Sequence, residues 1–240
     1  MIALAWGCAS WRKNPWAKFS TPVPGPAESI GSYSLGCIRG AAPLVEKPEN
    51  HIIIMRPQRA RAWGHPLLVA TLLKLAQEYD RKKLGVLALS DMGMARGGPM
   101  PSGGRSHQIG MDAALWVDVP QHPETIYPLT ALDRENVQPR KLVRLDGMDV
   151  DPAVWALKIS ARLEIAARLP EVSRIFVNPA VKQRLCKEQG KKKSAAVWLR
   201  KLRPWWGHDY HFHVRLNCLP EDLHCKDTQD PIPPGNGCDD

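Results

Sequence analysis

The stretch Trp205-Trp206-Gly207-His208-Asp209-Tyr210-His211-Phe212-His213-Val214-Arg215-Leu216 decides how the rest of the chain is read. Three of the eight histidines fall within it. From Tyr210 onward polar and apolar residues alternate. Side chains on a strand repeat every second residue, so His211, His213 and Arg215 share one face and Tyr210, Phe212, Val214 and Leu216 the other. One face belongs to a core and the other to chemistry. Imidazoles fixed side by side on a stiff strand suit a zinc ion or a proton-transferring pair. The competing reading is an aromatic edge strand with partly solvated histidines, since histidine is only intermediate in burial preference.

Working outward, Trp11 to Gly36 is rich in Pro, Gly and Ser. Thr21-Pro22-Val23-Pro24-Gly25-Pro26 cannot form a helix and is poor as a central strand, which predicts an extended arm. Ile52-Ile53-Ile54-Met55 and Val86-Leu87-Ala88-Leu89 read as short buried strands. Between them His65 to Tyr79 reads as a helix, with Leu68, Leu72 and Leu75 at helical spacing. Asp91 to Gly104 is a long glycine-rich loop of the kind that delivers functional side chains from a rigid sheet. It leads through Ser106-His107-Gln108 into a strand over about Met111 to Val117, with Asp112, Ala114, Trp116 and Asp118 on one face. A single loop histidine carries little meaning, but His107 gains weight from the cluster at His208, His211 and His213 as a partner in a shared metal site.

Thr130 to Val150 reads as polar and irregular, ending in Asp146-Gly147-Met148-Asp149-Val150-Asp151. Asp151-Pro152 predicts a helix start, running to about Leu169 with Val154, Leu157, Ala161, Ile165 and Leu169 on one stripe. Ile175-Phe176-Val177 is a further strand. Asn178-Pro179 opens a helix through Cys186, and Ala195 to Leu202 is a last helix, stopped by Pro204.

The chain has 240 residues, 44% of them hydrophobic, and a net charge of +9. That suits one soluble domain over residues 21–240, after a segment 1–20 that is an arm or the remnant of a signal. Met1 to Ala9 is apolar but lacks a basic n-region. No apolar run approaches the roughly 18 residues needed to cross a membrane. The basic charge favours an anionic partner, whether nucleic acid, lipid headgroups or an acidic wall polymer. No nucleic-acid fingerprint accompanies it, and Lys191-Lys192-Lys193 reads as a solvated loop. The six cysteines, Cys8, Cys37, Cys186, Cys218, Cys225 and Cys238, include three in a Pro-, Asp- and Gly-rich tail. They point to disulfides and an oxidising compartment, and no Cys-x2-Cys pair supports a zinc ribbon.

Taken together, these motifs resemble the penicillin-insensitive murein endopeptidases, secreted zinc peptidases related to lysostaphin and the D-Ala-D-Ala metallopeptidases. The likeness runs through Pro22-Val23-Pro24-Gly25, Ser29-Ile30-Gly31-Ser32, Gly36-Cys37-Ile38, Gly64-His65-Pro66, Asp91-Met92-Gly93, Ser106-His107-Gln108, Ile175-Phe176-Val177-Asn178-Pro179, Trp198-Leu199-Arg200-Lys201 and His211 to Leu216. The resemblance implies a periplasmic zinc D,D-endopeptidase that cleaves the D-alanyl to meso-diaminopimelyl cross-link of peptidoglycan. It implies zinc ligands at His107, His213 and position 114, with His211 as general base or transition-state stabiliser and His208 assisting. It implies a secondary metal site that includes Asp146, Asp149 and position 104. It also implies an α+β fold, a small antiparallel sheet flanked by helices, with long loops around the zinc site and the His213 strand beside the Met111 strand.

Two positions depart from the family pattern. Position 114 holds Ala where a ligand Asp belongs, and position 104 holds Gly where a secondary-site His can stand. Asp112 and Asp118 share the face of Ala114, but two residues along a strand is roughly 6.5 Å, too far for a simple substitution, although an Asp can still reach in if the loop re-registers, with Asp112 the first suspect. The departures keep in view a relative that binds peptidoglycan without cleaving it. For the cysteines, the resemblance implies the pairs Cys186 with Cys238 and Cys218 with Cys225, with Cys37 left over and Cys8 a possible partner for it.

Overall fold

Residues His211–Leu216 form a strand whose burial alternates strictly. Phe212, Val214 and Leu216 are fully buried, while His211, His213 and Arg215 remain partly accessible on the other face. The alternation read from the sequence therefore holds from His211 to Leu216, whereas Tyr210, expected on the core face, precedes the strand and packs against His211 and Trp116 instead. Each fully buried apolar side chain contributes roughly 1.5–3 kcal/mol relative to exposure, which pins the strand's register and with it the imidazole face.

The computed structural model of the chain describes residues 14–117, 130–228 and 230–238. In chain order the strands are β1 (Glu28–Ser32), β2 (Leu35–Arg39), β3 (Ala42–Pro43), β4 (Ile52–Ile54), β5 (Trp63–Gly64), β6 (Leu87–Asp91), β7 (Asp112–Trp116), β8 (Val172–Val177), β9 (Leu202–Pro204) and β10 (His211–Leu216). The helices are α1 (Pro66–Arg81), α2 (Ala131–Asn136), α3 (Leu157–Arg168), α4 (Pro179–Gln189) and the single turn α5 (Ala196–Leu199). The fold is α+β. Its main sheet has six strands in the order β4-β6-β7-β10-β8-β9. The four central strands pair antiparallel and each edge strand pairs parallel, so the sheet is larger and more mixed than the small antiparallel one expected. Two-stranded sheets β1-β2 and β3-β5 flank it.

One core joins Phe212, Val214 and Leu216 with Leu115, Ile175, Leu68, Leu72, Leu163 and Leu185 from the neighbouring strands and helices. On α1 the expected Leu68, Leu72 and Leu75 are all buried, and the His65 ring accepts from Leu67 N at the N-cap with Pro66 behind it. On α4 the Asn178 side chain accepts from Ala180 N, again with Pro at the first position. A smaller cluster of Ile53, Met55, Val86, Ala88 and Trp116 lies apart from this core.

Three expectations about elements change. The helix expected from Pro152 starts instead at Leu157, because Asp151 bonds Ala153 N in a turn and uses up the preceding residues. Its buried face is Ile159, Leu163, Ala166 and Ala167, and Leu157 is largely exposed. The helix expected over Ala195 to Leu202 stops at Leu199, and Leu202 goes into β9, paired with Ile175 of β8. The stretch taken as irregular contains α2, closed by a capping box between Thr130 and Asp133. From the Pro-rich arm emerges the β1-β2 hairpin. Of the segment 1–20 only Asn14 onward is described, with a 3-10 turn at Pro15–Lys18; Cys8 and Asp118 lie outside the described residues.

Both expected disulfides form, Cys186 with Cys238 and Cys218 with Cys225. Cys37 is a free thiol, half-buried on β2, and burial pushes its pKa up.

Candidate active site

Strand pairing brings the site together. In the β7-β10 ladder His211 lies opposite Trp116, His213 opposite Ala114, and Arg215 opposite Asp112. His107 arrives from the glycine-rich loop before β7 and is fully buried. Its ring centroid is 4.9 Å from that of His213. His208, just before β10, lies 4.8 Å from His213 and 4.8 Å from His211, stacked on the latter. His211 and His213 are 5.2 Å apart. Four histidines from two distant parts of the chain thus surround one point, with His213 in contact with the other three.

The ring nitrogens sort these four into two kinds. His107 Nδ1 donates to the Asp112 carbonyl at 2.8 Å, His213 Nδ1 to Asp112 Oδ1 at 2.8 Å, and His208 Nδ1 to the Trp206 carbonyl at 2.9 Å. Each such bond places the proton on Nδ1 and leaves Nε2 as a free donor pair, the arrangement by which outer-shell oxygens orient metal-binding histidines. His211 differs, because its Nδ1 is buried with no partner. Burial, reinforced by His213 and His208, holds His211 down at about 2, and burial with His213 holds His208 at about 4. Burial also lowers His107. All three are neutral near pH 7, as ligation requires.

Asp112, which strand spacing disfavoured as a simple substitute but left as the first alternative to position 114, is brought into the site by the structure. It is fully buried, its Oδ1 also lies 3.3 Å from His107 Nδ1, and Arg215 Nε grips its Oδ2 at 2.9 Å. The strand spacing was no obstacle, because the side chain reaches the diagonal neighbour His213 across the ladder. Burial alone would raise its pKa, but Arg215, His213 and His107 together hold the carboxyl well below the usual range. Arg215 in turn stacks over Tyr33 and Phe176, at 4.2 and 4.5 Å. The signal in the sequence was the placement of Asp112 and Arg215 on the same faces as Ala114 and His213; their pairing required the register.

Among the described residues two groups have the donor types and closeness to hold a metal ion, His208-His211-His213 and His107-Asp112-His213. In the second, Asp112 is already bonded to both histidines. Ala114 itself is buried opposite His213 and offers no ligand atom. The donor set fits zinc, with imidazole nitrogens foremost and a carboxylate behind them.

The other expected metal residues are held differently. Asp146 bonds Arg144 and Met148 N, and Asp149 bonds Val150 N and Arg184, at 3.0 Å for the last. Gly104 sits at a φ of +54°, and a Cβ there would come within 2.8 Å of the His107 ring. A side chain at position 104 would therefore stand directly against His107.

A family profile described as penicillin-insensitive murein endopeptidase matches residues 29–240. The chain belongs to this family. Penicillin-insensitive murein endopeptidases of Escherichia coli O1:K1 and of Escherichia coli strain SMS-3-5 are each 42% identical to it over 238 residues, which is 99% of this chain and 83% of theirs. Membership makes the chain an enzyme of a peptidase family directed at peptidoglycan. The histidine cluster lies on β10, the turn before it and the loop before β7, all inside the matched region.

Proposed function

We propose that the protein is a zinc peptidase that hydrolyses the D-alanyl to meso-diaminopimelyl cross-links of peptidoglycan in the periplasm. One observation carries the reading: four imidazoles converge on one point, three of them locked through Nδ1 with Nε2 left free. In this reading His107 and His213 hold the ion. A zinc ion held there would supply Lewis-acid activation of water for attack on the peptide carbonyl. His211, the one imidazole of the four with an unbonded Nδ1, would take the proton or, as its low basicity favours, bond the developing charge, and His208, stacked on it, would steady the ring. Asp112 fixes the His213 tautomer and raises its basicity as a ligand. A second ion at Asp146 and Asp149, the remaining part of the family pattern, would have to displace Arg144 and Arg184 and finds no ligand at Gly104. The reaction is therefore assigned to the histidine cluster. Two disulfides support the extracytoplasmic placement, and no described helix is long and apolar enough to cross a membrane. Residues 21–240 act as one domain, a reading supported by a main sheet that draws strands from Ile52 to Leu216.

Metal analysis and a digest of cross-linked muropeptides test this together. Stoichiometric zinc and release of monomers are expected, and loss of both on adding a chelator. Sacculus binding without turnover would favour a non-hydrolytic wall binder, the outcome to which Ala114 points. Absence of both zinc and cleavage removes the proposal.

A further inference from the structure

Beside the histidine cluster lies a recess of about 330 Å³ whose walls include Arg56, Arg59, Ser90, Trp116, Lys141 and Tyr210. Two of its lining residues, Trp116 and Tyr210, connect it to His211. Trp116 faces His211 across the β7-β10 ladder, and the Tyr210 ring lies 4.6 Å from the His211 ring and edge-on to Trp116. Three cations line it against one carboxylate, Glu135, which is engaged by Gln58 N. Arg56 is a fixed part of the wall, because its guanidinium bonds the carbonyls of Met55, Arg134 and Val137 and lies over the Trp116 ring. Arg59 gives one nitrogen to Asp91 and is otherwise uncommitted. Among the described residues Lys141, largely exposed, makes a single long contact of 3.7 Å, with Asp209. The indole N–H of Trp116 is buried with no acceptor among the described residues. Cations outnumber carboxylates on its lining, and a buried donor without an acceptor is one that a water or a ligand oxygen can satisfy.

We propose that this recess recognises a carboxylate of the substrate, the free one borne by the carbon next to the scissile amide nitrogen of the cross-link. The inference rests on the endopeptidase reading and names its specificity group. A carboxylate presents two acceptor oxygens, which match one ring N–H and one mobile ammonium or guanidinium. Its position on the leaving side of the amide would put the scissile bond over His211 and His213. A neutral or amidated group at the same place leaves Trp116, Lys141 and Arg59 without their partner, the kind of mismatch by which sites reject close analogues.

The test uses the full chain stripped of metal by chelation, so that no cleavage intervenes. The probes are diacetyl-L-lysyl-D-alanyl-D-alanine, which carries the carboxylate next to a D-alanyl amide, and the same peptide as its C-terminal amide. Indole N–H resonances are followed by NMR, and Trp116→Phe identifies the Trp116 peak by its loss. The acid should shift that peak and bind at least about tenfold tighter than the amide, a preference that Lys141→Ala and Arg59→Ala each reduce severalfold without lowering the thermal midpoint. Equal binding of acid and amide, or an unmoved Trp116 peak, overturns the assignment. The two readings fail separately: cleavage of cross-linked dimers with no acid preference removes only the carboxylate recess, whereas acid preference without cleavage supports the recess and counts against the endopeptidase.

Discussion

Placing an aspartate at position 114 tests the site most directly. Ala114 is buried and lies opposite His213, two residues from Asp112 on the same face of β7. A second carboxylate there would sit roughly 6.6 Å from the first along the strand. At an effective dielectric of about 20, two like charges at that distance repel by about 2.5 kcal/mol. Ala114→Asp should therefore destabilise the metal-free protein by about 2–3 kcal/mol, and Ala114→Asn, which has the same shape without the charge, by much less. With zinc the sign reverses. The new carboxylate completes two imidazoles and an anion, and affinity should rise by at least about a hundredfold, equivalent to about 2.7 kcal/mol. Isothermal titration with zinc, run with chemical denaturation in chelator and in excess zinc, measures both halves of the effect. If the wild-type protein already binds zinc as tightly as the aspartate variant, then position 114 is not a ligand position. The third place would then belong to Asp112 or to His208, and zinc titration of Asp112→Asn and His208→Gln would separate them.

Asp112→Asn should cost about 3–5 kcal/mol, because it leaves Arg215 uncompensated beneath the site, and should weaken zinc binding by about 10–100-fold through loss of the His213 anchor; denaturation and zinc titration check the two effects. Stability of the metal-free protein should depend on pH through the buried histidines. The unfolded chain takes up protons near 6.5, whereas folded His208 resists down to about 4 and His211 to about 2, so stability is full above pH 6.5 and falls as pH drops through that window. The expected slope is about 1.4 kcal/mol per pH unit for each histidine, and urea midpoints that stay flat between pH 6.5 and 4 would contradict it. The disulfides differ in loop length, with sequence separations of 52 for Cys186–Cys238 and 7 for Cys218–Cys225. On chain-entropy grounds their removal should cost about 4 and about 2.5 kcal/mol respectively, read from the melting of Cys→Ser pairs. Peptide mapping without reductant should recover both links and a free Cys37.

Periodicity along the chain was enough to assign faces. It placed His211, His213 and Arg215 together, buried Phe212, Val214 and Leu216, and located α1, because these patterns arise from local geometry and the apolar stripe alone. Asn178-Pro179 likewise announced the start of α4. Where two apolar phases competed, as between Val154 and Leu169, local pattern could not choose, and packing chose Ile159, Leu163 and Ala166. The short helix α2 has no buried residue and hence no periodic signal.

The residue types of the site were legible as well, since histidines at alternate strand positions and a further one in a glycine-rich loop are a chemical pattern in themselves. What tertiary structure alone decided was which carboxylate serves them. Distance along the strand argued against Asp112, yet the antiparallel ladder sets Arg215 opposite it and His213 on the diagonal, within hydrogen-bonding reach. The recess beside His211 was equally invisible, because Arg56, Trp116 and Lys141 are far apart in sequence and meet only through sheet order. Side-chain periodicity is a property of one segment, whereas the charge balance of a buried site is set by strand register and by loops folding back across it, and neither is written in any single stretch of the chain.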